Sequence, residues 1–115
     1  MPAHYVYEYF YPESNRCFYV GCGKGERYIS TADRPPEFKK IIWGLKKQNL
    51  SPIIKFVAVN ITWEQALKIE VKRIAYHLTN GHRLTNRCFV YNGIRYDRVD
   101  MQTWRTKYFI LKIRN

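Results

Sequence analysis

Acidic residues are scarce in this chain. Nine Asp and Glu stand against twenty Lys and Arg, giving a net charge of +11 over 115 residues. A deficit of that size disfavours cationic partners and favours a polyanion, nucleic acid first and an anionic membrane surface second. Long hydrophobic runs are also missing: no stretch approaches the roughly 20 apolar residues that span a bilayer, so no membrane association is expected. The start, Met1-Pro2-Ala3-His4, has neither the basic cluster nor the apolar stretch of a secretory leader, and none is expected. Cysteine is limited to Cys17, Cys22 and Cys88, an odd number without CxxC spacing. That argues against a disulfide framework or a zinc site and for reduced thiols inside the cell, in cytoplasm or nucleus. His4, His77 and His82 form no HExxH motif. Gly21-Cys22-Gly23-Lys24-Gly25 matches neither the phosphate loop GxxxxGK[ST] nor the dinucleotide fingerprint. Repeats, low-complexity tracts and linkers are absent.

What is present is a globular composition, 46% apolar and 17% aromatic, in a chain long enough for one core without staples. Tyr5, Tyr7, Tyr9 and Tyr11 occupy the odd positions of one alternating run. With a side-chain period of two they share one strand face, and Val6 and Phe10 take the other, with Glu8 between them. Pro12-Glu13-Ser14-Asn15 is a turn cluster, so residues 4–11 and 16–22 are expected to form a hairpin. A polar loop over 23–34 follows. Pro35 and Pro36 open a helix over about 36–48, with Phe38, Ile41, Ile42 and Leu45 on one stripe. Lys39, Lys40, Lys46 and Lys47 take its other side, together with Trp43. The β-branched run Ile53–Val59 reads as a mostly buried strand.

A second helix runs over 62–78, with Thr62 and Gln65 able to close a capping box and Asn80-Gly81 as its stop. Asn92-Gly93 has the composition of a type I′ hairpin turn. The tail over 101–114 alternates too weakly to separate strand from short helix. The order describes an α+β domain: a small three-stranded antiparallel sheet with helices packed on it, plus a C-terminal hairpin and extension. Residues 1–89 form the main unit and 90–115 an extension packed on the same domain.

Three features point to chemistry. On the second helix, Trp63, Ala66, Leu67, Ile74 and Leu78 share a face, and Glu70 falls near the centre of that stripe. A carboxylate there is costly unless paired or bound to a cation. Either Glu70 pairs with Arg73 at i+3, or it ligates a hard divalent ion such as Mg²⁺, which takes one or two carboxylates and keeps its waters. The glycines after the second strand suit close approach of backbone to phosphate, delivering Arg27, whose planar fork fits a phosphodiester, at the strand's end. Trp43 among lysines suits either stacking on a base while the lysines meet phosphates, or packing against the C-terminal segment.

Taken together, Val6-Tyr7, Tyr19-Val20-Gly21, Arg27, Glu70 within Ala66-x-x-x-Glu70, and Asn86 within Leu84-Thr85-Asn86 resemble the GIY-YIG nuclease superfamily. The spelling Phe18-Tyr19-Val20-Gly21-x-Gly23-Lys24-Gly25-x-Arg27 is most similar to the subgroup found in LEM-domain/ankyrin-repeat nucleases. The resemblance covers about residues 4–89 and implies metal-dependent hydrolysis of a DNA phosphodiester at a single site. It implies Tyr7 and Tyr19 as paired phenols, Arg27 as phosphate clamp, Glu70 as ligand of Mg²⁺ or Mn²⁺, and Asn86 as a structural or phosphate-orienting residue. Tyr7 is expected to take the water's proton, Tyr19 to position water or phosphate, and the Glu70-bound cation to stabilise the leaving oxygen. Cys22 stands where many members carry lysine, with Lys24 nearest; Thr31 stands where many carry His or Tyr, with Tyr28 nearest. DNA, duplex or branched, is the expected partner. Lys24, Tyr28, Lys39, Lys40, Trp43, Lys46, Lys47 and Arg87 are its expected contacts, and a homodimer or protein partner would supply specificity.

Overall fold

The computed structural model describes residues 3–114, with side chains throughout except at Phe109 and residues 112–114. Strand β1 (His4–Phe10) and strand β2 (Cys17–Gly23) form the expected hairpin. Asn15 takes the turn's left-handed position at φ 57°, a conformation asparagine tolerates better than most residues. A 3-10 turn over Arg27–Ile29 follows, within the stretch expected as plain loop. Helix α1 (Pro36–Lys47) starts with proline at its first positions and is followed by Asn49 at φ 59°. Strand β3 (Ile53–Ile61) then pairs antiparallel with β1, giving the sheet order β2-β1-β3.

Helix α2 (Trp63–Thr79) carries both halves of the Thr62–Gln65 capping box. The short strands β4 (Phe89–Tyr91) and β5 (Ile94–Tyr96) close on Asn92 and Gly93, both at positive φ as a type I′ turn requires. The tail left open between strand and helix is helix α3 (Arg98–Arg114). The protein is therefore an α+β fold, and among the described residues no helix is long and apolar enough to cross a membrane.

Helices cover both faces of the sheet. On one face Val6, Phe10, Val20 and Cys17 pack with Ala66, Ile74 and Leu78 of α2. Leu84, Phe89 and Met101 join the same core, so β4 and α3 help to build it. On the other face Tyr5, Tyr7 and Tyr9 pack with Phe18, Phe38 and flanking Ile41 and Ile42 of α1. The register shifts between Tyr9 and Phe10, opposite residues 17–19. This bulge lets Phe18 and Tyr19 both join the tyrosine face while Cys17 and Val20 join the other. One expectation fails: β3 is not mostly buried. Ile53, Phe56, Val57 and Val59 are exposed because β3 is an edge strand, paired only with β1.

Candidate active site

The tyrosine row divides its labour. Tyr5 Oη donates to the Gly25 carbonyl at 2.8 Å and accepts from the Tyr28 amide at 3.0 Å, while Tyr9 Oη donates to the Tyr28 carbonyl. Two phenols thus pin the Gly25–Tyr28 segment over the sheet. Tyr7, between them, is 0% exposed, and its hydroxyl is the one buried side-chain polar atom among the described residues without a partner. Burial pushes its ionisation well above the ordinary phenol range; the neighbouring Tyr19 adds to the shift, while Arg34 and Arg27 oppose it.

Gly21 explains how the two site tyrosines come together. It shares their face of β2, and a β-carbon built there would lie 2.6 Å from Tyr7 Cζ and Oη and 2.9 Å from Tyr19 Cε2. The rings therefore pass over bare backbone, their centroids 6.3 Å apart. Gly23 does the same for Arg27, whose Cγ and Cβ would stand 2.6 and 2.8 Å from a β-carbon at 23. These glycines lie within β2; the turn itself falls to Gly25, at φ 61°. Arg27 is partly exposed and gives Nη1 to the Ala32 carbonyl at 3.0 Å, leaving other donors of its five-donor fork.

Glu70 reaches the same strand from the opposite face. Its carboxyl lies against the Cys22 thiol, on the α2 side of β2. Burial raises the Glu70 acid above the ordinary carboxyl range, with the thiol partly offsetting it. Burial and the adjacent Glu70 together push Cys22 up to about 12. Glu70 does not pair with Arg73. Arg73 instead gives Nε to Glu8 Oε2 at 2.7 Å and Nη2 to Glu8 Oε1 at 3.0 Å, and His77 Nε2 meets Glu8 Oε2 at 2.8 Å. Burial alone would raise the Glu8 carboxyl, but the bonds from His77 and Arg73 prevail and hold it below its ordinary range. Arg73 and His77, four apart on α2, answer the one acid on the apolar face of β1; the sequence signal for them is Glu8 itself, a carboxylate between Val6 and Phe10 that burial would leave in need of a partner.

Asn86 works on the backbone. Its Oδ1 accepts from the Val20 amide at 3.1 Å and its Nδ2 donates to the Val20 carbonyl at 2.7 Å. Thr85 gives both its amide and its hydroxyl to the Phe18 carbonyl, at 2.7 and 2.8 Å. Residues 85–86 thus cover the outer edge of β2 up to Val20, just before the stretch that seats Tyr7, Tyr19, Arg27 and Glu70.

Arg34 carries no sequence signal beyond its place before two prolines, yet it lies at the centre of the tyrosine face, 2% exposed. It donates Nη1 to Tyr19 Oη at 2.9 Å, Nε to the Ser30 carbonyl at 2.9 Å and Nη2 to the Arg27 carbonyl at 2.6 Å. Its guanidinium carbon stands 4.9 Å from the Tyr19 ring centroid and 5.5 Å from those of Tyr7 and Phe38.

The expected DNA contacts are distributed more widely. Lys24, Lys39, Lys40, Lys46 and Lys47 are exposed, and Tyr28 is partly covered by Phe56 and Tyr5. Trp43 is 62% exposed with the Lys47 ammonium 3.6 Å from its ring centroid, which excludes packing under the C-terminal segment. Arg87 bridges loops, donating to the Asp33 carbonyl at 3.3 Å. Among the described residues no group of three or more His, Cys, Asp or Glu side chains is gathered for a metal ion. Comparison with models of known protein families, with curated proteins and with solved structures finds no match.

Proposed function

We propose that the chain is a divalent-metal-dependent DNA endonuclease of the GIY-YIG kind, hydrolysing one phosphodiester at a time. The observation that carries this reading is convergence on three consecutive residues. Tyr7 and Tyr19 meet over Gly21, Glu70 lies against Cys22, and Arg27 rests on Gly23. These groups come from β1, β2, α2 and the 3-10 turn after β2 and meet at one edge strand, the phenols and the guanidinium on one face and the carboxylate on the other.

The roles differ from the sequence expectation in one respect. Tyr7 is sealed from water, so Tyr19, partly exposed, is the phenol that meets the attacking water, and Tyr7 supports its ring. The Arg27 fork binds phosphate oxygens whose charge grows in the transition state. A single carboxylate at a strand edge fits an ion such as Mg²⁺ or Mn²⁺ that keeps most of its waters. Glu70 is the residue that would hold it, and the ion would supply positive charge to the departing oxygen. Burial raises the Glu70 acid, so a proton and the ion compete for the same carboxylate. Asn86 fixes the strand on which the site is assembled.

A second reading, a nucleic-acid-binding domain with little turnover, is favoured by one observation: Cys22 caps Glu70 with a thiol rather than offering a cation. Plasmid nicking separates the two. With Mg²⁺ the wild type should relax supercoiled DNA, and Glu70→Gln should lose at least about 100-fold in rate, the scale of a lost transition-state charge interaction. DNA binding without metal-dependent nicking would leave the binding domain; equal nicking by Glu70→Gln would remove Glu70 from the site.

A further inference from the structure

We propose that Arg34 is the internal counterion of the tyrosine pair, a positioning residue that lets Tyr19 exchange a proton with the attacking water. The proposal rests on the nuclease reading for its purpose, but the geometry stands without it.

A guanidinium this deeply buried costs several kcal/mol unless its charge is answered. Among the described residues Arg34 belongs to no ion pair; Glu37, on the helix that follows it, is taken by Arg98. The ionisable groups around it are the phenols of Tyr5, Tyr7 and Tyr9 from β1, Tyr19 from β2, and Tyr28 and Arg27 from the 3-10 turn; α1 contributes the neutral ring of Phe38. Asp33, its chain neighbour, is exposed. Burial would weaken the guanidinium's hold on its proton, but the Tyr19 and Tyr7 oxygens outweigh it and keep Arg34 charged.

Of those phenols, Tyr5 and Tyr9 are committed to the Gly25–Tyr28 backbone, and Tyr7 is sealed from solvent, its hydroxyl beside the guanidinium but without a well-aligned hydrogen bond. Tyr19 is the partly exposed phenol of the pair, and its hydroxyl accepts from Arg34 Nη1 at 2.9 Å. A phenolate formed there would be paired to a fixed cation in a setting of low dielectric, where the attraction is strong. The step balances. Tyr19 gives its proton to solvent. Water then passes a proton to the phenolate oxygen as its own oxygen bonds to phosphorus; the bond to the departing sugar oxygen breaks, and that oxygen takes a proton from solvent. Arg34 forms and breaks no bond.

Ultraviolet titration of tyrosinate, without DNA or metal, tests this directly. The difference between the wild-type curve and that of a Tyr7→Phe, Tyr19→Phe double variant, which keeps both rings, isolates the phase that belongs to the pair. In Arg34→Met the pair should lose its first proton about one pH unit or more higher, the scale of removing an adjacent opposite charge. Arg34→Lys, which retains a cation, should recover part of that shift. The alkaline-rising limb of the nicking rate should move with the titration. A folded Arg34→Met whose pair phase matches wild type overturns the proposal; where Arg34→Met fails to fold, an Arg34→Lys whose pair phase is unmoved while its nicking is lost overturns it as well. A titration that shifts as expected in a protein that never nicks DNA overturns the nuclease reading and leaves the counterion standing.

Discussion

Single residues fix the site more tightly than any element does. Gly21 is the sharpest case, because the space above its α-carbon is filled by Tyr7 and Tyr19. Gly21→Ala should cost about 1–3 kcal/mol, the usual penalty of an added carbon in a filled interior, and should abolish nicking by parting the rings. Gly25 makes the control: nothing lies within 4 Å of a β-carbon there, and only its φ of 61° resists substitution. Gly25→Ala should cost about 1 kcal/mol and leave cleavage largely intact. Chemical denaturation and plasmid nicking on both variants check this, and equal activity losses would refute it. The glycines were legible in the sequence as a place of close approach, but what approaches is side chain: Tyr7 from the neighbouring strand, Tyr19 from the same strand and Arg27 from the turn that follows. Arg34 was illegible, because the phenols that surround its charge, Tyr7 and Tyr19, come near it only on folding.

At the scale of elements, the sequence showed α1, α2, the hairpins and the sheet, because each has a local period or stop signal, and left α3 open because its alternation is weak. It misplaced the burial of β3, since a β-branched run reads alike at a centre and at an edge; sheet order decides that, and order is not local. Glu70 was singled out for breaking an apolar stripe, while Glu8, breaking the corresponding face of β1, is the acid that α2 neutralises. The Glu8–Arg73–His77 network ties β1 to α2 beneath the site. The Glu8 carboxyl is held below its ordinary range, so its stabilisation is present above the unfolded carboxyl pKa of about 4.3 and lost as pH falls through the lower folded value. Glu8→Gln should lower stability at neutral pH by roughly 3 kcal/mol, the low end for breaking a buried pair because Arg73 is partly exposed. The deficit should shrink in acid. Thermal melts between neutral pH and pH 3 measure it; a constant deficit across that range would mean the charge of Glu8 is immaterial.

The whole molecule is a flattened body, 40 × 38 × 23 Å, carrying a net charge of +11. Part of that charge is already engaged within the fold. Arg34 is buried, Arg73 pairs with Glu8, Arg98 with Glu37, and Arg87 reaches a loop carbonyl. The exposed lysines of α1 show no such ties. Replacing Lys39, Lys40, Lys46 and Lys47 by alanine should flatten the dependence of log K on log salt for duplex DNA by roughly three to four units. Arg27→Ala should change that slope by at most about one unit while depressing turnover far more. An unchanged slope in the lysine variant would move the DNA surface away from α1.

Trp43 has one more consequence. Of the three tryptophans, Trp104 is enclosed by Phe89, Tyr91, Tyr96 and Tyr108, whereas Trp43 and Trp63 stand in solvent, Trp43 alone on the lysine face. The protein therefore carries a built-in optical reporter. A collisional quencher such as iodide should reach Trp43 freely in the unbound protein and lose that access when a nucleic acid lies along α1, so occupancy of the surface can be followed by emission with no label added.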